Sequence, residues 1–277
     1  MKSVLVTGAS TGIGRACALA LSAAGWHVYA GVRTSGAGAA LTGDAPAVEP
    51  IRLDVTDSAS IREAARRIAA ERGTAGLDGL VNNAGIAVGG PLELVRLDDL
   101  RRQFEVNVIG QLAVTQEFLP MLRTARGRIV LMSSVSGRIG HPFIGPYTAS
   151  KFALEALGDA LRVELRSSRV QVSLVEPGAV ATSIWDKGRT AIDETVIPAQ
   201  HQQRYGQVPV LMRAVVAESA RTGVPPQRVA DVVLAALTAA RPRSRYVVGR
   251  DAKIAITLRR FLPDRTFDRL TRRTLKL

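Results

Sequence analysis

The sequence predicts an α/β protein in which a parallel sheet is covered by helices on both faces. Short apolar runs alternate with longer segments of helical period along most of the chain, the pattern of repeated strand–helix–strand units. The chain is 47% apolar and 22% charged, so it can bury a sizeable core, and disorder over its whole length is excluded. Its 277 residues suit one large α/β domain or two small ones.

Lys2–Val6 reads as a strand and Gly12–Ala24 as the helix after it. Trp26–Val32 is a second strand, and the Gly/Ala/Ser run Ser35–Ala40 beyond it reads as an exposed loop. Pro50–Leu53 is a short strand. A helix follows over Ser58–Arg72, with Ile61, Ala64, Ala65, Ile68 and Ala69 at apolar positions. Leu77–Asn82 is a strand, Asp98–Thr124 a long helix and Arg128–Met132 a strand. Pro146–Ser167 is helical, with Phe152, Leu154, Leu157, Leu161 and Leu165 on or near one face, and Val170–Val175 is a strand. Ala181–Gly223 has no clean strand but carries Ile184, Trp185, Val196, Ile197, Val208, Val210, Leu211 and Met212. That marks a binding loop or lid, with a poorly ordered insertion as the alternative. Pro226–Ala239 is a helix with proline near its first turn, and Ser244–Val248 is the last strand. In Lys253–Leu277 basic residues alternate with apolar ones, and Pro263-Asp264 separates two short helices, with Asp264 as a cap.

Composition narrows the function. Cys17 is the single cysteine, so no intramolecular disulfide framework exists. His27, His141 and His201 are isolated, and no metal site is expected. No apolar run is long enough to span a bilayer, and no secretory signal pattern opens the chain, so a cytoplasmic location is expected. The net charge of +13 invites a nucleic-acid reading. From Arg241 onward, however, twelve basic and three acidic residues give +9, leaving only +4 for the body. With 4% aromatics and no recognised reading motif, no nucleic-acid partner is expected.

The chemistry begins at Thr7-Gly8-Ala9-Ser10-Thr11-Gly12-Ile13-Gly14, between the first strand and the first helix. Glycines let the backbone turn tightly and approach a ligand, and the helix start offers free N–H groups to a phosphate. The segment reads as a pyrophosphate cradle, with a Gly-rich packing turn as the alternative. Arg33 ends the second strand, and no acidic residue occurs from Gly31 to Gly43. A carboxylate here would suit the free ribose of NAD, whereas an arginine suits the ribose phosphate of NADP. NADP(H) is therefore favoured, with NAD(H) as the alternative. Tyr147 and Lys151 are four apart in a helical segment and share a face. An ammonium beside a phenol is expected to lower its pKa, so that it can exchange a proton near neutral pH. Ser134 follows the strand Arg128–Met132, at the sheet edge where ligands bind.

Taken together and in order, these motifs resemble the short-chain dehydrogenase/reductase family over nearly the full length. Leu53-Asp54-Val55, Asn82-Asn83-Ala84-Gly85, Asn107-Val108-Ile109-Gly110 and Pro177-Gly178 with Val180 and Thr182 complete the pattern. The resemblance implies a single Rossmann-type doubly wound sheet, with residues 1–250 as the catalytic domain, a lid at about 181–224 and a basic extension at 251–277. It implies Asn107, Ser134, Tyr147 and Lys151 as catalytic residues. It implies cofactor contacts from Gly8, Ser10, Thr11, Gly12, Ile13, Gly14, Arg33, Asp54, Val55, Asn83, Ala84, Gly85, Tyr147, Lys151, Pro177, Gly178, Val180 and Thr182. Tyr147 acts as acid or base, Lys151 lowers its pKa and holds ribose hydroxyls, Ser134 orients the substrate oxygen, and Asn107 holds a water that relays the proton.

Tyr147–Glu155 and Val175–Gly178 further resemble the hydroxysteroid and retinol dehydrogenase branch, which implies a steroid, retinoid or long-chain substrate. Ile86, Ser134, His141, Phe143 and the lid residue Trp185 are the expected substrate contacts. The resemblance also implies a homodimer or homotetramer. The tail either packs its apolar side on the body or a partner subunit, or gives peripheral contact with an anionic membrane. The rival readings are an NAD(H)-dependent dehydrogenase of a smaller hydroxy compound, and a catalytically silent dinucleotide sensor. The intact Asn107, Ser134, Tyr147 and Lys151 set argues against the sensor.

Overall fold

The computed structural model describes residues 1–34, 36–42, 45, 47–182 and 197–275. Among them, strands β1 (Ser3–Thr7), β2 (His27–Val32), β3 (Val48–Arg52), β4 (Gly79–Asn82), β5 (Arg128–Met132), β6 (Gln171–Pro177) and β7 (Arg245–Val248) form one sheet. All are parallel, in the order β3-β2-β1-β4-β5-β6-β7. The helices are α1 (Gly12–Ala23), α2 (Gly36–Thr42), α3 (Ser58–Arg72), α4 (Leu97–Phe104), α5 (Gly110–Ala125), α6 (Gly145–Glu164), α7 (Gln202–Tyr205), α8 (Val208–Thr222), α9 (Pro226–Thr238), α10 (Arg250–Phe261) and α11 (Asp264–Leu275).

The sheet has two cores because side chains alternate along each strand. Leu5, Tyr29, Leu80, Ile129, Leu131 and Leu174 join one core with Ile61 and Ile68 of α3, Phe118 of α5 and Leu154 of α6. Val4, Val6, Val28, Ala30, Val81 and Val130 join the other, with Cys17 and Leu21 of α1 and Val229 and Val233 of α9. Burial on both faces explains why the strands read as continuous apolar runs. The strand order reverses between β1 and β4, and their diverging ends open a crevice at the carboxyl edge.

Local signals explain the helix limits. Asp57 caps α3 by accepting hydrogen bonds from the N–H groups of Ala59 (2.9 Å) and Ser60 (3.2 Å). Gly73 ends it at φ +52°.

Three expectations change. The long helix over Asp98–Thr124 is broken at Glu105–Ile109, where one π-helical turn separates α4 from α5. Gly110 lies at this break, where a Cβ would sit 2.6 Å from the Val55 carbonyl oxygen. The run expected to be an exposed loop forms α2 from Gly36, because Leu41 is fully buried and Gly38 lets the helix lie on the Pro50 ring. Asp264 is the first residue of α11, and its carboxylate pairs with Arg259 at 2.8 Å.

The lid is helical where it is described. Val208, Met212 and Val216 bury one side of α8, and Val208 and Met212 pack with Phe143, Ile144 and Tyr205. Glu93 ties the lid to the 91–95 loop, accepting from Tyr205 Oη at 2.7 Å, with Arg204 at 3.5 Å. Ile184, Trp185 and Val196 lie outside the described residues. No helix among the described residues is long and apolar enough to cross a membrane.

Candidate active site

A cleft of about 660 Å³ opens at the carboxyl edge of the sheet. Its floor follows from one polar side chain. The Thr7 hydroxyl, buried at the end of β1, accepts hydrogen bonds from the N–H groups of Asn83 (2.9 Å) and Ala84 (3.0 Å). The Asn83 amide nitrogen donates back to the carbonyls of Thr7 (2.9 Å) and Gly8 (3.3 Å). The loops leaving β1 and β4 are thereby held together.

This close approach dictates the glycines. Gly8 has φ +64°, and a Cβ there would sit 2.9 Å from Ala84 Cα. A Cβ at Gly14 would run into the Gly8 carbonyl and the Asn83 amide. Gly14 therefore serves packing and does not line the cleft, whereas Gly8, Ser10, Thr11, Gly12 and Ile13 do. Thr11 precedes α1 without capping it through its side chain, and no acidic residue occupies the first turn. The free N–H groups and positive end of α1 therefore suit the pyrophosphate of a dinucleotide. Arg33 stands exposed at the end of β2 and lines the cleft with Asp54 and Val55. The Asp54 carboxylate accepts from Thr56 N (2.9 Å) and Thr56 Oγ1 (2.8 Å), which fixes that corner. Pro177, Gly178, Val180 and Thr182 close the far wall, and Asn83, Ala84, Gly85 and Ile86 the middle.

Ser134, Tyr147 and Lys151 share the cleft wall. Ser134 hydrogen-bonds the Tyr147 hydroxyl. Lys151 is buried, donates from Nζ to the Met132 carbonyl at 2.7 Å and lies 5.7 Å from the Tyr147 ring centre. Burial pushes the Tyr147 phenol above its ordinary value, and the Ser134 hydrogen bond pulls it part of the way back. The expected fall in the tyrosine pKa is thus reversed, because desolvation dominates and the ammonium bonds a carbonyl rather than the phenol. The same burial pulls Lys151 down to about 8, with the Glu155 carboxylate opposing it.

Asn107 and His141 do not line the cleft. Asn107 is fully buried in the π-helical turn. Its Oδ1 accepts from Ile86 N (2.9 Å), and its Nδ2 donates to Ile86 O (3.0 Å) and Ser150 Oγ (3.2 Å). Its amide therefore clamps backbone and does not line the cleft. His141 and Phe143 also lie outside the cleft lining. Phe143 instead supports the lid, and burial lowers the pKa of His141. Trp185 is outside the described residues.

Several contributors were not read from the sequence. Gln103, fully buried, accepts from Val88 N (2.7 Å) and donates to Ile86 O (2.9 Å), doubling the Asn107 clamp. A glutamine amid the charges of α4 gives no pattern that marks it. Arg101, Arg102, Glu105 and Val106 also line the cleft.

The chain belongs to the short-chain dehydrogenase family, whose family model matches residues 2–193. It is an NAD(P)-dependent oxidoreductase. It is 39% identical over 261 residues to the 3-amino-tetrahydro-pyrrolizinone reductase of Xenorhabdus hominickii, covering 91% of this chain and 88% of that one. It is 33% identical over 282 residues to the NADPH-dependent 3-dehydrocapnine reductase of Ornithobacterium rhinotracheale, covering 100% and 98%. A short chain dehydrogenase/reductase from Burkholderia phymatum, solved in complex with NAD, superposes with a TM-score of 0.80 at 28% identity, covering 94% and 92%.

Thr7→Val keeps the side-chain shape and leaves two N–H groups without their acceptor. Urea unfolding is expected to show a loss of about 1–3 kcal/mol. Unchanged stability would mean that the hydroxyl does not hold the two loops together.

Proposed function

We propose that this protein is an NADP(H)-dependent oxidoreductase that interconverts a carbonyl and an alcohol on a hydrophobic substrate, with Tyr147 as the acid and base. The observation that carries this reading is the shared wall of Ser134, Tyr147 and Lys151 beside a glycine cradle in one cleft. Residues 1–250 form the catalytic domain, with the lid at about 181–224 and the tail at 251–277.

Gly8–Ile13 and the start of α1 would hold the pyrophosphate, Asp54 and Val55 the adenine side, and Pro177–Thr182 with Asn83–Gly85 the nicotinamide side. Lys151 would hold ribose hydroxyls. Arg33 would pair with a ribose phosphate, which favours NADP(H). The NADPH dependence of the 3-dehydrocapnine reductase relative supports this preference, and the names of both relatives support reduction. Bound nicotinamide supplies a hydride to the substrate carbon, or accepts one from it. Ser134 donates a hydrogen bond to the substrate oxygen and shares its developing charge. The Tyr147 hydroxyl gives that oxygen a proton in reduction and takes it back in oxidation. The raised phenol pKa keeps Tyr147 protonated near neutral pH, which suits it as the acid. The Lys151 ammonium stabilises the phenolate left behind. Asn107 with Gln103 positions Ile86, which faces the substrate.

A hydrophobic substrate fits the apolar residues packed beneath the lid and at Ile86, a steroid-, retinoid- or long-chain-like molecule being the class we favour. We also read the chain as a homodimer or homotetramer. The apolar stripe Phe152 and Val163, exposed on α6 among Ala149, Ala156 and Ala160, carries no charge and fits a second copy. Sedimentation velocity giving only a 29.5 kDa species would overturn that. On α10, Ile254 (60% exposed), Leu258 (37%) and Phe261 (74%) stand at helical spacing among Lys253, Arg259 and Arg260. This apolar stripe, in the stretch from Arg241 onward whose net charge is +9, matches an anionic lipid surface.

Tyr147→Phe should lower turnover of a hydrophobic ketone, with phenanthrenequinone as the probe, by about 10³-fold while leaving NADPH binding intact. Turnover equal to wild type would end the assignment. Arg33→Ala should raise KM for NADPH by roughly 10- to 100-fold and leave that for NADH unchanged. Equal effects on both cofactors would remove the phosphate role. Full-length protein should co-sediment with phosphatidylglycerol vesicles at low salt, less at physiological salt, and not once Ile254, Leu258 and Phe261 are all serine. Equal binding to neutral vesicles, or a serine variant that changes only the sedimentation coefficient, would mean that the stripe is not a lipid-binding surface.

A further inference from the structure

Two buried carboxylates lie one step from the cleft wall. Glu155 is one helical turn beyond Lys151, and Glu176 precedes Pro177, whose carbonyl accepts from Ser134 Oγ at 3.5 Å. Glu176 is fully buried and Glu155 nearly so. Arg245 Nε from β7 donates to Glu155 Oε2 at 2.9 Å and lies 3.1 Å from Glu176 Oε1. Arg138 donates to Glu176 Oε1 at 3.2 Å, and Arg245 also pairs with Asp159 at 2.7 Å.

Each glutamate keeps one oxygen that is buried without a partner, Glu155 Oε1 and Glu176 Oε2, and the Ser133 hydroxyl is a third. Ser133 Oγ and Glu155 Cγ face the same point above Gly137, 2.8 and 2.9 Å from where a Cβ would sit. Ionised carboxylates only accept, so the two bare carboxylate oxygens cannot satisfy one another. One added proton turns one of them into a donor. Two carboxylates brought to the same guanidinium nitrogen in low dielectric also repel, which favours protonating one of them.

We propose that Glu176, set beside Glu155 on the same Arg245 nitrogen, holds a proton near neutral pH, and that the charge on Glu155 keeps Lys151 in its ammonium form. Glu155 is then a positioning residue for the proton transfer at Tyr147, and this inference rests on the role given to Lys151 above. Burial and the Glu155 carboxylate push Glu176 up to about 7, against Arg138 and Arg245. Glu155 is also the group that opposes the fall of the Lys151 pKa.

Carbonyl reduction needs the ammonium, so kcat/KM for phenanthrenequinone falls as pH rises through the Lys151 pKa. Glu155→Gln removes the supporting charge and should move this alkaline limb down by roughly one pH unit. Glu176→Gln leaves the Glu155 charge in place and should move the limb down by much less than Glu155→Gln does. A packing role would instead lower kcat in both variants and leave the limb in place, which would overturn the proposal. Infrared difference spectra of the full chain supply a readout without turnover. A carboxylic-acid band that titrates near neutrality and is lost in Glu176→Gln is expected, and its absence from wild type would equally overturn the pair. A wild-type profile with no alkaline limb while that band persists would count against the Lys151 reading and the tuning of Lys151, and for the proton on Glu176 alone.

Discussion

The structure turns on the Thr7 hydroxyl. Strands β1 and β4 lie side by side, and the chain leaves them into two different loops. Two main-chain N–H groups from the second loop converge on one oxygen of the first. Buried N–H groups must find acceptors, so the loops have little freedom to separate. The glycines follow from that constraint, because side chains at Gly8 or Gly14 would collide with atoms that Thr7 draws inward. The open start of α1 and the cleft around it are built upon the same contact.

The opposite wall is governed by desolvation. Tyr147 and Lys151 are both nearly closed off from solvent. Burial favours the neutral form of each, raising the phenol and lowering the amine. The two shifts carry the pKa values apart, with the amine below the phenol. Met132 O accepts a hydrogen bond from the ammonium, and Glu155 supplies the opposing charge. The behaviour of the tyrosine is thus set in part by Ser134, Met132 and Glu155, which is why a motif of two residues on one helical face describes only part of the chemistry.

Much of the fold was legible in the sequence because both faces of the sheet are buried. β5 and α3 have the limits that the apolar pattern gives, and the other strands differ by one or two residues, with β3 starting earlier. What was hidden depends on contacts across the chain. The run at Gly36 forms a helix because Leu41 finds the core and Gly38 meets Pro50, partners far from local propensity. The π-helical turn arises where Gly110 presses on Val55, a contact that no periodicity encodes. Ser134, Tyr147 and Lys151 were legible as cleft residues through their spacing. Asn107 was legible as important, but the amide's use in clamping Ile86 was not, nor was its partner Gln103. Phe143 was legible as an apolar residue near the site, but its packing against Val208 and Met212 of the lid was not.

The tail and the cleft are not independent. The N–H of Ala179, in the segment that closes the cleft, donates to Asp251 Oδ2 at 3.0 Å, and Asp251 lies in the first turn of α10. Gly178 has no room for a side chain beside that carboxylate, and Gly249 takes φ +109° just before the helix. The basic helices therefore start from a fixed point on the cleft wall rather than from a loose end. A carboxylate at a helix start is favoured by the helix dipole, so the anchor is stable even in a strongly cationic segment. Val180, next along that wall, bridges to Val224 at the end of the lid. One short stretch of backbone, Gly178–Val180, thus joins the cleft, the lid and the tail. Any surface that holds α10 in place therefore bears on the cleft wall through the Ala179–Asp251 hydrogen bond.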